Sequence, residues 1–197
     1  MLWPLWPGFS RAMVIIVTGA IGIGKTTICE KVIEIARSLG YSCGGVITYK
    51  TQNGDIIIKD IQTGEIKAFA STSNIHQGPR TVKYYFNPEG IDFGIQAIDR
   101  GTASDILLVD ELGYLELSRQ GFAKVIDQIV AGKIKSCILV IRKELLSAFL
   151  PQLSATTSFF EATIKNRNQL PKEIALVLTR GITANVASRG KREPLLE

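Results

Sequence analysis

Residues 14–32 read VIIVTGAIGIGKTTICEKV and constrain the fold more than any other stretch. Val14, Ile15, Ile16 and Val17 form the short β-branched run expected of a strand buried on both faces. Ile28, Val32, Ile35, Ala36 and Leu39 then recur at helical spacing until Gly40 stops them. Between strand and helix, Gly19, Ala20, Ile21, Gly22, Ile23, Gly24, Lys25 and Thr26 fit G-x-x-x-x-G-K-[ST]. That spacing serves phosphate chemistry. Backbone N–H groups converge on phosphate oxygens only where glycine lets the chain bend and approach, and the helix presents its positive N-terminus to the anion. Lys25 is placed to reach the β- and γ-phosphates, the Thr26 hydroxyl to ligate Mg²⁺, and Thr27 to touch the α-phosphate.

The rest of the chain repeats strand and helix in alternation. DILLVDE (105–111), SCILVI (136–141) and residues 159–164 read as further strands. Helices are expected over 88–101, where Asn87 caps and Pro88 takes the first position, and from Ser118 through Phe122, Ile126, Ile129 and Val130 to Gly132. Two more are expected near 143–150 and from 170 to about 187. Residues 46–51 and 55–61 flank the Asn53-Gly54 turn, and Thr63-Gly64 leads to a third strand over 65–70. Residues 71–81 read as loop and 82–86 as a short strand. The expected architecture is an α/β, three-layer P-loop NTPase fold. Its mostly parallel sheet has helices on both faces and an antiparallel meander at one edge. Residues 14–187 make the domain, with an N-terminal extension over 1–13 and a basic tail over 188–197. The opening MLWPLWPGFSRAM lacks the basic start and long apolar run of a signal peptide. Its tryptophans and prolines suit a small docking patch, and Met13 also suits a natural start directly before the first strand.

Composition narrows the function classes. A chain of 197 residues, 46% hydrophobic and 21% charged, buries a full core. The net charge of +5 favours anionic ligands but is too mild to argue for nucleic acid. One histidine, His76, excludes a zinc cage or a Ser-His-Asp triad of the usual kind. Cys29, Cys43 and Cys137 form no CxxC pair and read as free thiols of a cytoplasmic protein. No apolar run reaches membrane-spanning length.

The second half of the site is ILLVDELGYLEL. Asp110 ends an apolar strand, where an acid positions Mg²⁺, and Glu111 follows as a base for the attacking water. With VTGAIGIGKTT, GGVIT, GPRTVKYYFNPEG, VDELGYLEL and NRNQLP in that order, the chain resembles the small P-loop nucleoside-triphosphatases, a family that includes the thermophilic nucleotide phosphatase and the cancer-related nucleoside-triphosphatase. The resemblance spans Val14 to about Leu178. It implies Mg²⁺-dependent hydrolysis of ATP, GTP, CTP and UTP, with residues 19–27 on the triphosphate and Asp110 and Glu111 at metal and water. Tyr114 departs from the proline common in relatives, and VIRKELL lacks a histidine found in several.

Arg80 and Lys83 flank a glycine-proline loop and are candidates to place a cation at the γ-phosphate; a solvated loop is the alternative for both. Asn166 and Arg167 follow a strand and suit base or ribose contacts, against a helix cap at Asn166 or Asn168. Glu116 suits either bracing or chemistry, and Tyr84, Tyr85 and Phe86 read as packing. Two other functions fit the same motifs: a nucleotide or small-molecule kinase using the 71–81 loop in an acceptor pocket, and a non-enzymatic nucleotide switch. With no arginine finger assured by the sequence, slow turnover is expected.

Overall fold

The computed structural model describes residues 12–153 and 156–190; the tryptophan-rich opening and residues 191–197 of the tail lie outside them. The strands are β1 (Met13–Gly19), β2 (Cys43–Lys50), β3 (Ile56–Asp60), β4 (Ile66–Ser71), β5 (Tyr85–Phe86), β6 (Ile106–Leu112), β7 (Ser136–Ile141) and β8 (Thr156–Ala162). They form one sheet in the order β5-β4-β3-β2-β6-β7-β1-β8. The five strands from β2 to β8 in that order are parallel, while β3, β4 and β5 continue the sheet antiparallel. The expected α/β sheet with an antiparallel edge is therefore the fold observed.

Among the described residues six α-helices cover the sheet: α1 (Lys25–Ser38), α2 (Pro88–Gly101), α3 (Tyr114–Leu117), α4 (Lys124–Val130), α5 (Leu146–Phe149) and α6 (Leu170–Gly190). The alternation of strand side chains sorts them into two layers. Ile15 and Val17 of β1 join Ile28, Val32 and Ala36 of α1 and Ile174 and Leu178 of α6 in one core. Val14 and Ile16 point the other way, into a core with Ala97 and Ile98 of α2, Val125, Ile126 and Ile129 of α4, and Phe149 of α5. Helix α2 lies almost on the backbone of β2. A Cβ added at Gly101 would meet the Gly45 nitrogen at 2.6 Å, and one at Gly44 the Gly101 Cα at 2.6 Å. This contact explains Gly44, while Gly45 takes positive φ and a Cβ there would meet the Leu108 carbonyl oxygen at 2.1 Å.

Several expectations shift in the structure. Ser118 does not start a helix; it closes the short α3, and α4 begins only at Lys124. The cause is Glu116, whose carboxylate accepts from Gly113 N at 2.7 Å and Phe122 N at 3.0 Å and folds the intervening chain into a turn. Arg119 and Gly121 take positive φ there, which no helix accommodates. Of residues 82–86 only Tyr85 and Phe86 form strand, because Val82 and Lys83 lie in a turn closed by Thr81 N donating to Tyr84 O at 2.9 Å. The helix expected near 143–150 is a single α-turn between two 3₁₀ turns. Strand β8 covers 156–162 rather than 159–164, its register set by the Gly19↔Ala162 pairing with β1, so Ile164 falls in an exposed loop.

At the edge opposite the glycine loop, Asp105 ties three strand starts together. Its carboxylate accepts from Ser42 N at 3.0 Å, Ser42 Oγ at 2.6 Å and Lys135 Nζ at 2.9 Å. The Ser42 hydroxyl bond leads in holding its pKa down to about 2, against a desolvation cost, with Lys135 adding to the same effect. A carboxyl near 3.9 when unfolded and about 2 when folded contributes stability that is complete above the unfolded value and disappears as pH falls through the folded one. Asp105→Asn is therefore expected to cost about 1–3 kcal/mol near neutrality, and the difference in Tm from wild type should shrink between pH 4 and pH 2. A Tm gap that stays constant over that interval would contradict the assignment. All three cysteines are free and buried, and burial pushes the Cys137 thiol up to about 12. Among the described residues no helix is long and apolar enough to cross a membrane.

Candidate active site

Parallel strands deliver their C-terminal ends to one edge, and there β1, β6, β7 and β8 each release a segment of the site. From β1 comes the glycine loop. Gly19, Gly22 and Gly24 all take positive φ. Gly19 is also held against β8: a Cβ there would lie 2.6 Å from the Ala162 carbonyl oxygen. Gly24 precedes α1 without a side chain to cap it, so the first-turn amides of α1 have no side-chain acceptor. Ala20, Ile21 and Gly22 are exposed, Ile23 half-buried, and Thr27 open to solvent. Lys25 is buried and its Nζ donates to Gly19 O at 3.0 Å and Ala20 O at 3.1 Å, across the mouth of the loop. An ammonium held over a glycine loop that leads into the uncapped N-terminus of a helix is an anion site.

Strand β6 supplies the acids. Asp110 is 1% exposed, and its Oδ2 accepts from Thr26 Oγ1 at 2.9 Å, with Thr48 N at 3.5 Å. Desolvation pushes its carboxyl up to about 7; the Thr26 bond pulls down, and the neighbouring Glu111 charge adds to the rise. A buried carboxylate and a hydroxyl at one point fit Mg²⁺, which takes one or two protein oxygens and completes its shell with waters and phosphate. Among the described residues no cluster of three His, Cys, Asp or Glu is found.

Glu111 points to the other side of the strand end, where its Oε1 accepts from Arg142 Nε in an ion pair. Arg142 follows β7 directly, and its guanidinium lies 5.9 Å from the centre of the Tyr114 ring. The sequence reading overlooked this residue. A usable signal existed: Arg142 follows the buried run SCILVI as Asp110 and Glu111 follow ILLV, and the two strands are neighbours in register. Glu111, Arg142, Arg80 and Lys83 all line one cavity of about 750 Å³. Arg80 is exposed at its wall and makes an isolated bridge with Tyr85. Glu116 lines the same cavity, but its two oxygens are spent on the amides of Gly113 and Phe122; it braces the loop.

The loop after β8 lies beside Gly19. Asn166 turns its side chain into that loop, accepting from Thr163 N at 2.8 Å and donating to Glu161 O at 2.9 Å. Arg167 is exposed.

A mostly parallel sheet whose first strand runs through a glycine loop into a helix, with an acid from the strand next but one bonded to the loop's threonine, defines a P-loop nucleotide-binding domain. Residues 14–175 match the NTPase family. Nucleoside-triphosphatase THEP1 of Methanocaldococcus jannaschii is 30% identical over 178 residues, 86% of this chain and 99% of that one. The protein of the same name from Pyrococcus abyssi is 28% identical over 176 residues, 86% of this chain and 94% of its own. Two solved structures share the fold. The crystal structure of THEP1 from Aquifex aeolicus has a TM-score of 0.69 at 23% identity, covering 84% of this chain and 99% of that one. The solution structure of a human cancer-related nucleoside triphosphatase has a TM-score of 0.66 at 19% identity, covering 86% and 98%. The chain belongs to the NTPase family.

Proposed function

We propose that the protein hydrolyses nucleoside 5′-triphosphates to diphosphate and phosphate in the cytoplasm, with Mg²⁺ held by Thr26 and Asp110. The observation that carries this reading is the 2.9 Å bond between Thr26 Oγ1 and Asp110 Oδ2. It brings the phosphate loop and the end of β6 to a single point, with Glu111 on the adjoining residue. When bound, Mg²⁺ supplies positive charge to the β- and γ-phosphate oxygens. The amides of residues 19–27 grip the triphosphate, and Lys25 exchanges its carbonyl partners for phosphate oxygens. Glu111 orients the attacking water and takes its proton. The bond from γ-phosphorus to the β–γ bridging oxygen breaks, and the diphosphate leaves. Arg80 is the candidate cation for charge on the transferring group, and Arg142 holds the Glu111 carboxylate at the edge of the reaction space.

Base selectivity should be weak. Asn166, a residue placed to read a base, has its amide engaged by its own loop, leaving Arg167 for contacts that any nucleoside offers. Phosphate release from ATP, GTP, CTP and UTP, with and without Mg²⁺, is the test. The kcat/KM values are expected to agree within about tenfold, or about 1.4 kcal/mol, and to collapse without metal. A single triphosphate preferred well beyond that, or release indifferent to Mg²⁺, would refute the reading.

A further inference from the structure

The cavity beside Glu111 is far larger than hydrolysis needs. A water molecule occupies about 30 Å³, whereas the cavity measures about 750 Å³, within the range of pockets that enclose small organic molecules. None of residues 19–27 lines it, so it adjoins the loop that takes the triphosphate and does not contain that loop. The two regions meet at Glu111, where the nucleophile must approach the γ-phosphorus.

The lining defines what fits. Phe69 and Phe86 provide an apolar wall, packed edge to face with ring centres 5.3 Å apart. Two cation–ring pairs also line the cavity: Lys83 Nζ lies 5.4 Å from the Tyr84 ring centre, and Arg142 lies 5.9 Å from that of Tyr114. Tyr114 stands 50% exposed although it is large and aromatic, which leaves its face open to a ligand. Rings paired with cations suit a molecule that has both a planar ring and an anionic group. The 71–81 loop, the sequence candidate for an acceptor pocket, contributes Arg80 and Thr81 to the same wall.

We propose that this cavity, lined by Tyr84, Tyr114, Lys83 and Arg142 with Glu111 at its junction with the phosphate loop, binds a ring-bearing, anionic hydroxyl compound that accepts the γ-phosphoryl group. The inference rests on the reading of residues 19–27 as the triphosphate site. In the transfer step the acceptor oxygen forms a bond to the γ-phosphorus while the bond to the β–γ bridging oxygen breaks. The nucleoside diphosphate leaves with that electron pair; a hydroxyl acceptor passes its proton to the Glu111 carboxylate and then to solvent, whereas an ionised phosphate oxygen, as in a monophosphate, attacks without a proton to lose. Hydrolysis is the same step with water in the acceptor's place.

The test incubates the full chain with Mg²⁺ and γ-labelled ATP, alone and with nucleosides or nucleoside 5′-monophosphates at millimolar concentration. The expected result is labelled acceptor from a monophosphate in preference to its nucleoside, with free phosphate falling as that product grows. Tyr84→Ala is expected to raise the acceptor KM by about tenfold or more while acceptor-free hydrolysis stays within about twofold. Label that appears only as free phosphate, at a rate unaffected by every acceptor, overturns the proposal and leaves the hydrolytic reading intact. Equal losses of transfer and hydrolysis in Tyr84→Ala overturn it as well, since the ring would then serve the triphosphate site. Absence of any ATP turnover removes both readings together.

Discussion

Glu111→Gln is expected to lower kcat by about 10²- to 10⁴-fold, the usual worth of a positioned general base, while leaving Mg·NTP bound. The amide keeps the carboxylate's size and much of its hydrogen bonding but takes no proton from water. Asp110, with its bond to Thr26, is untouched. Affinity should hold or improve for two reasons. A negative charge close to the γ-phosphate is removed, and Arg142, now paired with Glu111, is released to act on phosphate. Single-turnover hydrolysis beside equilibrium binding of a non-hydrolysable analogue separates these effects. Hydrolysis within a few-fold of wild type would take Glu111 out of the mechanism.

Lys25→Ala should damage binding and turnover together. Its ammonium sits buried across the loop mouth on two carbonyl oxygens, the position from which it would meet phosphate in both the ground and transition states. Losing a charge-assisted contact is expected to weaken affinity about 10- to 100-fold, and losing a donor to the developing charge to lower kcat by a further ~10²–10³. Calorimetry that finds near-normal affinity would contradict the role. Together the two variants give opposite signatures: one binds without turning over, and the other does neither.

The parts of this molecule that were readable in the sequence are those in which chemistry and local structure coincide on contiguous residues. The glycine loop is one; the turns at Asn53-Gly54 and Thr63-Gly64 and the Asn87-Pro88 helix start are others, each set by short-range backbone demands. Asp110 and Glu111 were readable because a carboxylate pair ending an apolar strand is conspicuous. Arg142 was not, because its partner is 31 residues away in the chain, and only the β6–β7 pairing sets them side by side. Glu116 shows the converse. A side chain that caps two amides through a turn delays a helix that periodicity alone would start at Ser118, so α4 begins only at Lys124 and the short α3 before it was not expected. The cavity was equally hidden, since its wall gathers residues from β3, β4, the 80–84 segment, α3 and the end of β7.

The most direct measurement is multiple-turnover phosphate release from ATP by the intact chain, run beside Lys25→Ala prepared in the same way. Hydrolysis at the glycine loop predicts release well past one phosphate per protein in wild type, abolished by chelating Mg²⁺ and nearly absent in Lys25→Ala. Release that stops at one equivalent would describe a nucleotide switch, and release that survives in Lys25→Ala would place the chemistry outside the glycine loop; either result would contradict it.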